Sequence, residues 1–188
     1  DTLLVFKPDP SKLKPGLIPV SMGVDFFFDH PSNDIYMRLT CDSLPEGYSI
    51  KDVFMYQYDE LTDSISVLPR ISFDESGKTV TSVFKPHQMH FPFILMIDTQ
   101  EPLVKSDTPA VVSAKTPIIN MIEVSDNIIN SNVKLFIYRN DDSLFELSSR
   151  VASWYEDTIV DTIDPNYVTQ NHSVFAWLAV SDGRNTKW

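Results

Sequence analysis

Four groups of side chains in this 188-residue sequence could do chemistry, and their spacing decides what each could do. His87 and His90 lie three apart, with Asp98 downstream, a donor set that could hold a transition metal. The surrounding run is β-rich, and on an extended segment residues three apart point to opposite sides. That spacing suits a helix, and no helix is expected there. Asp25, Asp29, His30 and Asp34 gather oxygen donors near a turn, as calcium requires, but no dense Asp-x-Asp-x-Asp loop with a glycine frames them. Cys41 is the single cysteine, within Tyr36-Met37-Arg38-Leu39-Thr40-Cys41. As a nucleophile it would need a histidine base, and His30 and His87 are unsupported partners. A small core residue is the expected role.

The fourth group is aromatic: Tyr48, Tyr56, Tyr58, Trp154, Tyr155, Tyr167 and Trp177. Trp177 lies mid-strand and is expected in the core. Trp154 and Tyr155 lie in the polar segment Ser153–Asp157 and are the expected exposed pair, with Tyr56 and Tyr58 as further interface candidates. Trp and Tyr are enriched where proteins meet, because they bury much area for little lost freedom. Stacking on sugar faces is the alternative use. No Gly-x-Ser-x-Gly, His-Glu-x-x-His or phosphate-cradling glycine loop occurs, and five glycines are too few to build one. The sequence therefore predicts no catalytic residue, no metal and no cofactor.

Composition narrows the partners. The formal charge is −11, with 8 Lys/Arg against 14 Asp/Glu in residues 1–99 and 7 against 12 in residues 100–188. An evenly acidic surface repels phosphate backbones and anionic membranes, so nucleic acid is excluded as an expected partner. No run approaches the ~18 apolar residues of a membrane-spanning helix. The chain opens on Asp1 without Met, as expected of a processed or trimmed chain, so the lack of a basic-then-apolar leader carries no weight.

These residues must be positioned by strands, and the strands recur. Val53–Ile97 reads as strand, turn, strand, longer turn, strand, and a variant begins at Asn132. Each copy opens on a run ending at Tyr58 or Tyr138 and passing into an acidic turn. Thr79–Pro86 then aligns without a gap on Thr158–Pro165, and Phe93–Asp98 on Ala176–Ser181. Ile35–Cys41 and Thr79–Phe84 alternate with period two, and Ile50–Tyr58 is apolar on both faces, as in a sheet interior or a partnered face. Phe73–Lys78 reads as a hairpin loop, and Asp1–Pro19, with four prolines, as an extended lead-in. Short strands between turn signals predict an all-β chain of antiparallel sandwiches. The proline-bearing stretch 100–117 marks a boundary, giving modules 1–101 and 102–188. Pro19 to Val53 spans 34 positions and Pro117 to Val133 only 16, so the second module lacks about one hairpin or has its first strands within Leu103–Lys115.

Val53–Asp59 followed by Glu60, Thr62 and Val67-Leu68, then Thr79-Val80-Thr81 and His90-Phe91-Pro92-Phe93-Ile94-Leu95, resembles the tandem Ig-like sandwich modules of bacterial secreted and surface proteins. The second copy keeps Tyr138, Leu147, Thr158-Ile159-Val160 and the closing strand, but loses the Asp-Glu and the His-Phe. The resemblance covers about half of each module. It implies two Ig-type or fibronectin-type domains, an extracellular or cell-surface setting, and a non-catalytic role in adhesion or other protein–protein contact. A carbohydrate-binding accessory module is the alternative, and a virion or phage structural segment the third reading.

Overall fold

The structure, a computed structural model, describes residues 2–27, 34–59, 64–84, 92–107, 118–129, 131–139, 144–163 and 174–187. The chain is all-β, and it divides into two compact units, Asp1–Gln100 and Glu101–Trp188. No helix among the described residues is long and apolar enough to cross a membrane.

In the first unit the strands are β1 (Thr2–Phe6), β2 (Leu17–Pro19), β3 (Gly23–Phe27), β4 (Ile35–Thr40), β5 (Phe54–Asp59), β6 (Ser64–Val67), β7 (Arg70–Asp74), β8 (Thr79–Phe84) and β9 (Pro92–Asp98). One sheet has the order β1-β3-β9-β5-β6, with β2 also on β9; the other is β4-β8-β7. All described pairings are antiparallel. The two sheets share a core. Met55, Phe93, Leu95 and Ile97 come from the first, and Met37, Val80 and Phe84 from the second. The alternation predicted for Thr79–Phe84 places Val80, Ser82 and Phe84 inside.

The opposite face of β5 and β9 is closed as well. Every residue of β9 is buried, and Tyr56, Ile65, Ile94 and Met96 are each no more than 2% exposed. The lead-in contributes to that cover: Phe6, Pro8 and Leu13 lie with Tyr58 and Ile94 around a small cavity of about 120 Å³. A 3-10 turn at Pro10–Lys12 shapes this segment, with Asp9 accepting hydrogen bonds from the Ser11 N–H (3.0 Å) and Oγ–H (2.7 Å).

Two local features depart from the sequence reading. Ile50–Asp52 is a 3-10 turn, because Ser49 and Asp52 form a capping box that holds the chain in a turn before β5 begins. Arg70–Asp74 is an edge strand where the polar run suggested a loop from Phe73 onward. It is held by Arg70, whose guanidinium lies 4.1 Å from the Phe54 ring centre and 5.0 Å from that of Phe73. The same Nη1 donates to the carbonyls of Lys51 (2.7 Å) and Val53 (3.0 Å).

Gly23 shows why β1 stays on β3. The Phe6 ring lies over it so closely that a Cβ at that position would overlap the ring. The aromatic covers a glycine across the strand pair, as aromatic rescue does in designed sheets. Gly23→Ala is therefore expected to expel the Phe6 ring and destabilise the unit by about 1–3 kcal/mol. Hydrogen exchange checks it: amides of Leu3–Phe6 lose protection while those of β5 keep theirs, and an unchanged pattern contradicts it.

The second unit contains β10 (Leu103–Asp107), β11 (Ile118–Ser125), β12 (Ser131–Arg139), β13 (Leu144–Ala152), β14 (Glu156–Ile163), β15 (Val174–Ser181) and β16 (Thr186–Lys187). Its sheets are β10-β11-β14 and β13-β12-β15-β16. Ile122, Val124 and Ile159 of the first meet Val133, Ala152 and Val180 of the second. The stretch read as a boundary thus holds a strand, β10, so the first strand of this unit lies within Leu103–Lys115, one of the two arrangements its spacing allowed. Across the units, β5 lies between β6 and β9, and β12 between β13 and β15.

Candidate interaction surface

Trp154 and Tyr155 belong to the tight connection Ser153–Tyr155 between β13 and β14. Its conformation is fixed by the residues around it. Asp157 accepts the Ser153 N–H at Oδ2 and the Thr158 N–H at Oδ1, each at 2.8 Å. The Tyr155 carbonyl accepts the Asp126 N–H, also at 2.8 Å, which ties the turn to the end of β11. Ala152 before it is buried and Tyr155 half-buried, while Trp154 is 64% exposed. A large apolar ring is therefore held in water on a turn with little freedom to retract.

The β14 strand that follows leads into the outer face of β10-β11-β14. Strand register sets out its rows: Leu103–Ser125–Glu156, then Lys105–Glu123–Thr158, then Met121 beside Val160. Leu103, Met121 and Val160 are 63%, 47% and 57% exposed. The first two rows, with Asp157, line a shallow hollow of about 580 Å³ in which Lys105 is the cation and Glu123, Glu156 and Asp157 are anions. The surface is mixed: exposed apolar side chains around a charged centre.

The second unit also buries oxygen donors. Asp126 accepts the Asn127 N–H (2.8 Å) at Oδ1 and the Ser131 Oγ–H (2.7 Å) at Oδ2. Asp182 accepts the N–H groups of Arg184 (2.7 Å) and Asn185 (2.6 Å) at Oδ1 and the Asn185 side-chain amide (2.9 Å) at Oδ2. Oxygens of the two carboxylates come within 4.8 Å of each other, close enough to share a cation. Each carboxylate also closes its own turn, one between β11 and β12 and one between β15 and β16.

The remaining candidates separate. Tyr56 is 1% exposed, so its expected place in an interface is corrected. It pairs with Ile94 and Val67 on a sheet face that is covered, which removes it from the surface. Tyr58, at the end of the same strand, is half-buried beside Leu13. Asp98 is buried at the end of β9, where its Oδ1 accepts the Gln100 N–H at 2.9 Å. Asp25 is half-buried in β3 and Asp34 is exposed. Asp29, His30, His87, His90 and Tyr167 lie outside the described residues, as does the side chain of Trp177.

Cys41 packs in the first core at 4% exposure. Burial, with the neighbouring Asp42 adding to it, pushes its thiol up to about 11, so at neutral pH the group is an uncharged thiol. Iodoacetamide at neutral pH is expected to leave Cys41 unmodified in the native chain and to alkylate it on unfolding in urea. Rapid stoichiometric labelling of the folded chain contradicts this placement.

The exposure of Trp154 was legible because it stands among Ser153, Glu156 and Asp157 rather than in an apolar run, whereas Tyr155, expected to be exposed with it, is half-buried. The outer face of β10-β11-β14 was missed. Its signal was Met121 two residues from Glu123, an apolar residue in phase with a charged one. No protein-family model matches the sequence, and a search of the curated proteins finds no match.

Proposed function

We propose that the chain is a non-catalytic protein of two Ig-like sandwich modules, secreted or attached to a bacterial surface. In this reading it acts by holding another protein through the Trp154 turn of its second module. The observation that carries the reading is the 64% exposure of Trp154 on a turn fixed by hydrogen bonds on both sides. A preorganised aromatic needs little further ordering on binding, which is what makes such residues interface anchors. The exposed Leu103, Met121 and Val160 supply the apolar surround, and Lys105 with Glu123 and Glu156 supply charge that selects among partners. The Ig-like reading is supported by the matching places of β5 and β12 in their sheets and by the two-sheet core of each unit.

A carbohydrate ligand is the second reading, favoured by the exposed indole two residues from Glu156 and four from Thr158, side chains able to bond sugar hydroxyls. Arrays of immobilised polypeptides and of glycans, probed with the wild-type chain and with Trp154→Ala, separate the two. Protein contact predicts saturable polypeptide binding that Trp154→Ala loses. Glycan binding that the same substitution loses, with no polypeptide bound, supports the carbohydrate reading instead.

A further inference from the structure

The edges of the sheets differ in how they are guarded. An exposed strand edge offers open N–H and C=O groups to any other chain, and proteins block it with charges, prolines, bulges or very short strands. Among the described residues β4 carries Arg38, β7 carries Arg70, Asp74 and a bulge, and β10 carries Lys105 and Asp107. The edge strand β13 carries Glu146 and Arg150, and β14 carries Glu156, Asp157 and Asp161. The remaining edges, β2, β6 and β16, are three, four and two residues long, and β2 ends on Pro19. β1 has none of these guards. It is Thr2-Leu3-Leu4-Val5-Phe6, five uncharged residues paired to β3 in unbroken register, with no strand on its other side among the described residues. Leu3, Leu4 and Val5 are 55%, 49% and 60% exposed.

Register also tells which way these side chains point. Val5 is opposite Val24 and Leu3 opposite Phe26, while Val24 is opposite Phe93 of the core. Leu3 and Val5 therefore extend the core face of the sheet past its last covered residue, and Leu4 lies on the other face beside Asp25. Both faces of the edge are apolar.

We propose that β1 is a self-association edge, at which two copies of this chain join their first sheets by antiparallel β1–β1 pairing about a two-fold axis at Leu4. Symmetry and the absence of charge on this edge favour a second copy as the occupant: a five-residue uncharged strand centred on Leu4 meets its own copy without bringing like charges together. In a chain of net charge −11, like copies repel over most of their surface, and an edge such as β14 would bring its acids against the same acids. β1 brings no charge. A two-fold axis perpendicular to the sheet keeps each face on its own side, so Leu3 of one copy meets Val5 of the other beside the core. Residues i and 8 − i pair in that register and have the same parity, so whichever backbone groups point outward meet their own kind. The pairing is isologous and closes after two copies, giving a dimer and not a filament. It uses the first unit, and the Trp154 turn belongs to the second.

Sedimentation velocity of the full chain, from micromolar to several hundred micromolar, tests it. The expected result is a concentration-dependent species of twice the 21.4 kDa chain mass, which Trp154→Ala retains and Leu4→Lys loses while its circular dichroism stays native. Leu4→Cys in a Cys41→Ser background adds a readout that does not depend on Leu4→Lys folding. Facing Cα atoms in an antiparallel pair lie about 4.5–5.5 Å apart, within disulfide range, so oxidation gives a covalent dimer that the control Val160→Cys does not give. A wild-type chain monomeric at every concentration overturns the proposal, as does a dimer that Leu4→Lys leaves intact or a Leu4→Cys chain that cross-links no faster than the control. Loss of partner binding in Trp154→Ala bears on the proposed function alone.

Discussion

Arg70→Ala is expected to destabilise the N-terminal unit by about 2–4 kcal/mol, the largest effect for any single residue outside the apolar core. Several interactions depend on that guanidinium: hydrogen bonds to the Lys51 and Val53 carbonyls at 2.7 and 3.0 Å, and cation–π contacts with the rings of Phe54 and Phe73. Charge-assisted hydrogen bonds of this kind contribute about 1.5–3 kcal/mol each before the relaxation that truncation allows. Burial lowers the Arg70 pKa, yet arginine starts so high that the group stays charged at neutral pH. Its position explains the size of the effect. Arg70 begins β7, in one sheet, and grips the turn before β5, in the other, so its loss loosens a bond between layers. At roughly 4–8 °C per kcal/mol for a domain of this size, the midpoint should fall by more than 8 °C. Arg70→Lys recovers only part, because an ammonium lacks the planar fork that contacts the rings while donating to both carbonyls. A melting curve of Arg70→Ala within a degree or two of wild type contradicts this account of β7.

Trp154→Ala is the second large effect, and it falls on binding. An aromatic anchor at the centre of an interface is worth about 2–4 kcal/mol, so the affinity of the second module for its polypeptide partner should drop roughly 30- to 1,000-fold. The melting temperature should move little, since the residue stands mostly in water: at 64% exposure its removal opens no cavity. Trp154→Phe keeps an aromatic body and should lose about tenfold or less. Ser153 and Asp157 hold the turn, and Asp157→Ala should weaken binding through the turn's lost order, with Trp154 still present. Isothermal titration of the four chains, with melting curves recorded alongside, measures all of this. A Trp154→Ala chain that binds as wild type removes the anchor.

What could be read from the sequence follows from how locally each feature is determined. Thr79–Phe84 alternates apart from Ser82 and Val83, and the structure buries alternate residues of that strand, Ser82 included. Phe93–Ile97 reads as an unbroken apolar run because β9 is covered on both faces. Tyr56 misled for the same reason. An aromatic on the second face of an apolar strand is equally consistent with a partner and with internal cover, and only the fold brings residues 6–13 back over that sheet. Ile50–Asp52 carried its own signal in Ser49 and Asp52, three apart, which hydrophobic periodicity passes over. Arg70 was silent because its two rings and two carbonyls come from segments remote in sequence. Of the candidate surface, Trp154 was legible from its polar neighbours. Leu103, Met121 and Val160 were not, since an apolar residue in a strand is expected to face inward.

The most direct test of a contact role for the Trp154 turn is to replace Trp154 with a photo-cross-linking phenylalanine analogue and irradiate the chain with the polypeptide it binds. The same analogue at Tyr36, 67% exposed in the first unit, serves as the control position. A covalent adduct from position 154 that excess wild-type chain competes away, with none from position 36, is the predicted result. Adducts from position 36 and none from position 154 would contradict it.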